Sequence, residues 1–432
     1  MAVKVLVTDG EQRPALAIVR SLARQGMSVI AGSDHDVSLA SCSRGCSGRV
    51  TYPSPYSAPD AFSSWLQDFV ARTRIDVVLP VTDVTTHLVS RNAPALKKLT
   101  SLAVPDFPAF DFVCDKGRLV EWAARCGVRT PRTELVDVAG GLHAAIDRVV
   151  YPAVVKPVRS RYLTPSGWRS TSVHYANSRD ELVALYREHD DLTAQPSLIQ
   201  ERISGPGVGM FVLFDRGRPI AEFAHQRLRE KPPSGGVSVL RESVRVDPTL
   251  RRWAERLLAP LGWHGVAMLE FKRDAVTGDP YLIEVNGRFW GSLQLAVDAG
   301  LDFPALTARL ALGQVPAATP RYREGVQSRW LLGDLDHLLL RLRHTARELQ
   351  LPETAPGRAE ALWRFMKFLG RDLHYEIEKL DDPGPALHEL REYVRALSTS
   401  ALESAGQRIT PMNQLVARRP VLKASASKST HV

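Results

Sequence analysis

The stretch of residues 266–288 reads VAMLEFK, then RDAVTGDP, then YLIEVNGR, and the rest of the chain is interpreted from it. Two apolar runs flank a loop that contains glycine and proline, a pattern typical of a β-hairpin with a longer connection. Side chains alternate between the two faces of a strand, so Glu284, Asn286 and Arg288 are predicted to share one face.

Two carboxylates are predicted to face each other across this hairpin. If the loop is symmetric about Thr277, Glu270 lies directly opposite Glu284. Like charges in this position destabilise a strand pair, so the arrangement favours a cation between them. Mg²⁺ is the usual hard cation for carboxylate and amide oxygens, and Mn²⁺ is compatible with the same ligands. The alternative is a solvated hairpin face on which the polar residues have no common role.

The composition is that of an ordinary globular protein. The chain has 432 residues, enough for roughly two to four domains. No apolar run approaches the ~18 residues that a membrane span needs, and the first residues read as a strand rather than a signal peptide. The four cysteines lack the spacing of a zinc site and are too few for a disulfide scaffold. We therefore expect a cytoplasmic protein without a membrane span.

The net charge of +9 does not predict nucleic-acid binding. Residues 406–432 carry five basic side chains and no acid, so +5 of the +9 lies in this tail and about +4 remains for the body. Basic residues in the body alternate with acids instead of forming a stripe. The tail is rich in Ser, Ala and Lys and is predicted to be disordered.

The N-terminal region predicts a parallel sheet. An apolar strand at 3–7, a helix at 14–25 and a strand at 27–32 form a βαβ unit, without the Gly-x-Gly-x-x-Gly pattern of dinucleotide binding. Another strand, 76–80, continues the alternation. Asp83 follows that strand, where ligands of open α/β sheets gather, although an Asp that caps the next helix reads equally well.

A lysine and a polar loop point to phosphate binding. Lys156 ends an apolar strand at 151–157, and the loop 158–172 after it is rich in small polar residues and arginine. Small residues let backbone N–H groups approach phosphate, and arginine adds positive charge. The loop lacks Walker A spacing, and a flexible surface hairpin is an equally good interpretation.

A second basic pattern lies further along the chain. His225, Arg227 and Arg229 alternate in a predicted strand and would suit an anionic group. The alternative is an exposed basic strand. Beyond residue 302 the pattern becomes helical, with predicted helices at 303–312, 331–349 and 359–370.

Five short motifs in a fixed order resemble the ATP-grasp superfamily, over about residues 2–314. They are DKG at 115–117, VKP at 155–157, QERI at 200–203, LEF at 269–271 and EVNGR at 284–288. Within the superfamily, residues 225–244 resemble the carboxylate–amine ligase branch, close to carbamoyl-phosphate-synthase-like enzymes.

The resemblance implies a mixed α/β and α+β fold with four parts. A Rossmann-like pre-ATP-grasp domain would span residues 1–108 and an ATP-grasp domain residues 109–315. A helical C-terminal region would span 316–404, and 405–432 would be the disordered basic tail.

The resemblance also implies residue roles. The residues that would bind ATP are Lys116, Lys156, Glu201, Arg202 and Ile203, and the Mg²⁺ ligands would be Glu270, Glu284 and Asn286. Arg288 and Lys156 would be catalytic, with Arg288 steadying the transferred phosphoryl group. The loop 158–172 resembles the mobile loop that closes over the phosphates, although it is less glycine-rich than is usual and contains Trp168.

The implied reaction joins a small carboxylic acid to an amine, or less often a thiol, through an acyl phosphate. Because guanidinium binds carboxylate bidentately, His225, Arg227 and Arg241 are the candidates for gripping the acid. A homodimer is compatible with the family. Two other functions are also compatible with the sequence. The protein could be a nucleotide-binding regulator with a degenerate site, or a scaffold whose C-terminal region binds a partner.

Overall fold

A computed structural model describes residues 2–137, 141–233, 235–315, 320–349, 351 and 355–406, with side chains as far as residue 398. All but the first two residues of the predicted tail lie outside this described part. The chain divides into two compact units, Met1–Leu390 and Arg391–Val432. Among the described residues, no helix combines the length and the apolar composition needed to cross a membrane.

The first part of the chain forms a parallel sheet, as predicted. Its four strands lie in the order β3-β2-β1-β4, and every neighbouring pair is parallel. The elements are β1 (Lys4–Val7), α1 (Arg13–Arg24), β2 (Ser28–Ser33), β3 (Gly48–Thr51), α2 (Pro59–Thr73), β4 (Val77–Leu79), α3 (Asp83–Arg91) and α4 (Ala93–Leu96).

A smaller antiparallel sheet follows, in the order β5-β10-β6-β9, with a separate two-stranded hairpin formed by β7 and β8. Its helices and strands are α5 (Phe107–Cys114), α6 (Lys116–Arg125), β5 (Thr133–Val136), α7 (Leu142–Ala145), β6 (Ala153–Pro157), β7 (Arg161–Thr164), β8 (Gly167–Ser170), β9 (His174–Ala176), α8 (Arg179–Glu188) and β10 (Ser197–Glu201).

The largest sheet has seven strands in the order β15-β14-β11-β12-β13-β16-β17. The strands are β11 (Gly207–Asp215), β12 (Arg218–Lys231), β13 (Val237–Val244), β14 (Gly265–Arg273), β15 (Pro280–Asn286), β16 (Gln327–Arg329) and β17 (Leu373–Tyr375). The helices are α9 (Pro248–Leu258), α10 (Leu293–Asp298), α11 (Phe303–Ala311), α12 (Leu331–Arg343), α13 (Arg358–Phe365) and α14 (Gly384–Gly406).

Two cores lie on opposite faces of the seven-stranded sheet because its central strands alternate with period 2. Phe211 and Met268 belong to the core that also contains residues of α1, α10 and α11. Met210 and Leu269 belong to the core that contains residues of α5, α6 and α9. The sheet face that carries Phe211 and Met268 changes from apolar to polar toward one end of the strands.

The C-terminal region is not wholly helical, which differs from the sequence prediction. Its strands β16 and β17 extend the large sheet, each by three residues. Strands this short carry too little periodicity to be recognised in a sequence, and they pair with partners that are distant along the chain. The domain boundaries predicted at 108 and 315 stay a prediction.

One arginine ties the first helix to the C-terminal part of the same unit. Arg20 is 7% exposed, and its Nε donates to Asp382 Oδ2 at 2.8 Å. Its terminal nitrogens donate to the backbone carbonyls of Glu376, Ile377 and Asp382 at 3.2, 2.9 and 3.1 Å. Asp382 also accepts hydrogen bonds from Ser43 Oγ and the Arg44 amide. The contact therefore joins segments more than 350 residues apart.

We expect Arg20→Met to destabilise the protein by about 3 kcal/mol, because breaking a buried ion pair leaves an unpaired charge in the interior. The measurement is the urea midpoint followed by far-ultraviolet circular dichroism. Arg24→Met, on the exposed end of the same helix, is the matched control and should leave the midpoint unchanged. Equal midpoints for the two variants would show that Arg20 contributes nothing.

Candidate functional site

The hairpin has the register predicted from the sequence. Glu270 of β14 pairs with Glu284 of β15, and Met268 pairs with Asn286. A register shift directly after Glu270 interrupts the pairing toward the turn. The two glutamates therefore lie opposite each other on the polar end of one sheet face.

A chain of polar contacts continues from Glu284 toward the N-terminal sheet. Glu284 Oε1 accepts a hydrogen bond from Asn286 Nδ2 at 2.8 Å, and Asn286 Oδ1 accepts one from Arg288 Nη2 at 3.0 Å. Arg288 Nε lies 3.1 Å from Asp83 Oδ2. Asp83 is in the first turn of α3, and the helix cap is Thr82 rather than Asp83. This ion pair places Asp83 at the site.

Two lysines approach the glutamates, one from the start of α6 and one from β6 of the smaller sheet. Lys116 begins α6, and its Nζ lies 4.0 Å from Glu284 Oε2 and donates to Ser160 Oγ at 2.7 Å. Lys156 lies on β6 and is 5% exposed. The Lys116 amide donates to the Val158 carbonyl at 2.9 Å, which ties the start of α6 to the end of β6. Ser160 belongs to the predicted phosphate-binding loop, but the sequence did not indicate its hydrogen bond with Lys116.

Burial and neighbouring charges shift the pKa values of Glu284 and Lys156. Burial raises the pKa of Glu284, but the Lys116 charge and the Asn286 hydrogen bond lower it, and the net shift is downward. Burial and the neighbouring Lys116 charge lower the pKa of Lys156 to about 8, although the two glutamates oppose this shift. The glutamate is therefore an anion at neutral pH, whereas the lysine loses its charge within reach of physiological pH.

The predicted adenine linker follows β10. The Glu201 amide donates to the Arg132 carbonyl at 2.9 Å, and the Arg202 amide donates to the Pro152 carbonyl at 2.9 Å. Both amides are thus used within the protein. A backbone contact to adenine would fall to the carbonyl of Glu201 or to the amide of Ile203, and this role stays a prediction.

Of the three predicted acid-gripping residues, Arg227 contacts Glu270, and His225 lies on the same sheet face with one strand between it and Glu270. Arg227 Nη2 lies 2.7 Å from Glu270 Oε2, and Arg227 Nη1 donates to Glu230 Oε1 at 2.8 Å. His225 is 1% exposed and pairs with Gly209, where a Cβ atom would lie 2.6 Å from the imidazole ring. Burial lowers the pKa of His225 well below its usual value, so the ring is neutral. Glycine at 209 makes room for it.

Arg241 lies deeper in the molecule than the sequence suggested. It is fully buried and forms an ion pair with Glu376, which also accepts a 2.5 Å hydrogen bond from Arg13 Nη1. The Arg13 guanidinium lies 3.9 Å from the ring centroid of Trp330. Sequence reasoning missed Arg13 and Glu376, because only the folded chain brings α1 and the segment after β17 to this strand.

The predicted alternation along β12 ends at Arg227. A register shift between Arg227 and Arg229 breaks the pattern, and Arg229 Nη2 instead donates to Asp334 Oδ2 at 2.7 Å. The prediction that Arg229 continues the face of His225 and Arg227 was therefore wrong. A β-bulge adds a residue to one strand and has no reliable sequence signal at this position.

The loop 158–172 folds as the β7–β8 hairpin and contacts the N-terminal sheet region. The Trp168 amide donates to the Tyr56 carbonyl at 2.8 Å, and the Trp168 ring lies 4.8 Å from the His87 ring between centroids. Gly167 has φ +106°, and a Cβ atom there would lie 2.5 Å from the Tyr56 carbonyl oxygen. The tip of the hairpin therefore depends on this glycine.

A family model described as "ATP-grasp in the biosynthetic pathway with Ter operon" matches residues 193–333, which contain the glutamate hairpin. The structure of L-amino acid ligase from Bacillus licheniformis is similar with a TM-score of 0.59 at 19% identity, over 75% of this chain and 78% of that one. Residues 193–333 therefore match an ATP-grasp family, and the chain has the ATP-grasp fold. The predicted superfamily and fold class are confirmed.

Two further structures share the fold at low identity. One is the biotin carboxylase domain of Hydrogenobacter thermophilus 2-oxoglutarate carboxylase, with a TM-score of 0.60 at 16% identity over 76% of this chain and 74% of that one. The other is N5-carboxyaminoimidazole synthetase from Staphylococcus aureus in complex with ADP. Its TM-score is 0.58 at 12% identity, over 74% of this chain and 81% of that one. No curated protein matches this ATP-grasp chain in sequence.

We expect ADP binding by the chelator-treated protein to weaken as the pH rises from about 7.5 to 9.5. Lys156 carries its charge below a pKa of about 8 and loses it above that value, so the phosphates lose a cation as the pH rises. The loss should approach about tenfold per pH unit between the pKa of Lys156 in the free protein and its higher pKa in the complex. Isothermal titration calorimetry across this range measures it.

In Lys156→Arg the side chain stays charged throughout the range, and the pH dependence should flatten. The exposed Lys98→Arg is the matched control and should keep the wild-type profile. A Lys156→Arg profile that falls as steeply as the wild type would contradict the assignment of Lys156 to the phosphates.

Proposed function

We propose that this ATP-grasp protein is an ATP- and Mg²⁺-dependent ligase that activates a substrate carboxylate and joins it to an amine. The observation that carries the proposal is the opposed pair Glu270 and Glu284. Cationic side chains from the smaller sheet and from the segment after β15 surround this pair. A site that had lost its function would have no reason to keep two like charges face to face.

The residues present fit a hard divalent cation. Glu270 and Glu284 offer carboxylate oxygens from neighbouring strands. Asn286 now donates through its amide nitrogen to Glu284 and accepts from Arg288 through its oxygen, so it would offer that oxygen to a cation once the amide group turns over. Oxygen ligands of this kind suit Mg²⁺, and Mn²⁺ is compatible with them. When bound, the cation would offset the charge of the nucleotide phosphates. Glu270, Glu284 and Asn286 are the residues that would hold it.

The first chemical step transfers a phosphoryl group. A carboxylate oxygen of the acid attacks the γ-phosphorus of ATP, the bond to the β,γ-bridging oxygen breaks, and ADP leaves with the electron pair. Phosphoryl transfer depends mainly on positioning and charge neutralisation. In the proposal, Lys116 and Lys156 hold the phosphates while Arg288 stabilises the transferred group. The Asp83 carboxylate fixes the orientation of the Arg288 guanidinium.

The second step forms the amide. The amine nitrogen attacks the acyl carbon, the bond from that carbon to the phosphate oxygen breaks, inorganic phosphate leaves, and the nitrogen loses a proton. A thiol would give a thioester by the same displacement. His225 and Arg227 lie on the same sheet face as Glu270 and are the residues that would border the acid.

Similar structures support parts of this proposal. One is named an L-amino acid ligase, which makes amino acids the first class of substrate to test. Another is described with MgADP and as a dimer, which supports the nucleotide, the metal and a homodimer here. A cytoplasmic location remains part of the proposal.

The decisive experiment measures ADP and phosphate release with Mg·ATP and pools of amino acids and small carboxylic acids. Hydroxylamine replaces the unknown amine, because its nitrogen displaces phosphate from an acyl phosphate and leaves a detectable hydroxamate. We expect acid-dependent release and hydroxamate formation by the wild type. Glu284→Gln should lower the rate by at least about 100-fold, since it weakens charge stabilisation at the reacting phosphate.

Glu121→Gln, which alters an exposed glutamate on α6, is the matched control and should retain full activity. Nucleotide binding without release in any pool would favour the regulatory alternative. A protein that does not bind Mg·ATP would overturn the proposal. Equal rates for Glu284→Gln and the control would remove Glu284 from the mechanism.

A further inference from the structure

A second group of possible metal ligands lies outside the glutamate hairpin. His174, His189 and Asp191 each place a ligand atom within 4.8 Å of the other two. The imidazole centroids of the two histidines are 4.0 Å apart, and His174 Nε2 lies 3.8 Å from Asp191 Oδ1. In the described part of the chain, this is the one group of three or more His, Cys, Asp or Glu residues with that spacing.

The inner ligand of this cluster has an unused nitrogen. His174 is 8% exposed, and its Nε2 has no hydrogen-bond partner among the described residues. A buried nitrogen without a partner is destabilising unless something else occupies it. The same nitrogen points toward Asp191 at a distance too long for a hydrogen bond but suited to a shared cation.

The other two ligands are positioned by local structure. The Asp191 carboxylate accepts a 3.0 Å hydrogen bond from the Ser172 amide through Oδ2, which leaves Oδ1 directed to His174. His189 ends α8, and its amide donates to the Leu185 carbonyl at 3.0 Å. Both residues are partly exposed, so an ion and a water ligand can enter from solvent. A carboxylate held by an outer hydrogen bond is typical of metal sites.

We propose that His174, His189 and Asp191 form a binding site for a divalent transition metal, with Zn²⁺ the best chemical match. Two imidazoles and a carboxylate with one open position suit tetrahedral Zn²⁺, whereas Mg²⁺ prefers oxygen ligands. Ligand atoms around a tetrahedral Zn²⁺ lie roughly 3.3 Å apart. Side-chain rotations that move the ligand atoms by about 1 Å or a little more would bring the three residues to this spacing. The site is separate from the glutamates and does not depend on the proposed ligase activity.

The position of the site gives it a structural effect on the hairpin. His174 belongs to β9 and pairs with Val155 of β6, the residue before Lys156. Ser172, which binds the Asp191 carboxylate, ends the loop that carries the β7–β8 hairpin. Metal binding would therefore fix the base of this hairpin to the end of α8. We expect the bound metal to protect residues 161–170 from proteolysis.

The test uses the full chain after chelator treatment, with Mg²⁺ in large excess so that oxygen-ligand sites are saturated. Zn²⁺ is titrated in competition with a chromophoric chelator, and Co²⁺ is used separately because its visible spectrum reports four-coordinate geometry. We expect one equivalent of Zn²⁺ to bind. His189→Ala and Asp191→Asn should each weaken binding at least about tenfold, the effect typical of altered metal-site residues.

Two variants serve as matched controls. Asp190→Asn removes the neighbouring exposed carboxylate and His143→Ala removes an exposed imidazole elsewhere, and both should bind Zn²⁺ as the wild type does. Because His189 and Asp191 are partly exposed, their variants should fold, and circular dichroism checks this. The proposal is overturned if the wild type binds no Zn²⁺, if the ligand variants bind it as tightly as the controls, or if Zn²⁺ protects the hairpin equally in His189→Ala.

Discussion

The opposition of Glu270 and Glu284 is the constraint on which the site depends. Two like charges in register across a hairpin repel, and burial makes the repulsion stronger than it would be in water. The protein offsets it with cations that come from different elements: Arg227 contacts Glu270, and Lys116 approaches Glu284. The hairpin thus links β12 of the large sheet to the start of α6, which the Lys116 amide ties to the end of β6. A change in any one of these charges alters the balance for all of them.

Much of this arrangement follows from local sequence pattern. Period-2 alternation and a symmetric loop are sufficient to place Glu270 opposite Glu284, because strand register is fixed once one face is buried. The parallel N-terminal sheet can also be predicted from local sequence, since each βαβ unit has its own apolar strand and amphipathic helix. Local patterns were not sufficient to predict which fold these elements form. That prediction depended on five short motifs, each weak alone, that occur in a fixed order. Their order is informative because each motif lies in a different element.

The parts that could not be predicted depend on contacts between distant segments. Arg241 could be recognised as a basic residue on a strand, but its partner Glu376 lies more than 130 residues further along the chain. The bulge that separates Arg229 from Arg227 goes with a hydrogen bond from Arg229 to Asp334, which lies more than 100 residues further along the chain. The His174 cluster combines a strand, a helix end and a turn, so its spacing matches no metal-binding motif in the sequence.

The burial of Arg241 narrows the choice among the predicted acid-binding residues. Its guanidinium pairs with Glu376, and Glu376 also accepts a hydrogen bond from Arg13. A substrate carboxylate could reach Arg241 only if Glu376 withdrew, which would leave two carboxylates competing for the same cations and an anion buried without full compensation. Arg227 is likewise paired, with Glu270 and Glu230, but these contacts lie at the glutamate end of the sheet face, where the proposed site lies. The position of Arg227 beside Glu270 therefore favours it over Arg241 as the proposed acid-binding residue, whereas the Arg13–Glu376–Arg241 group joins α1 to the large sheet.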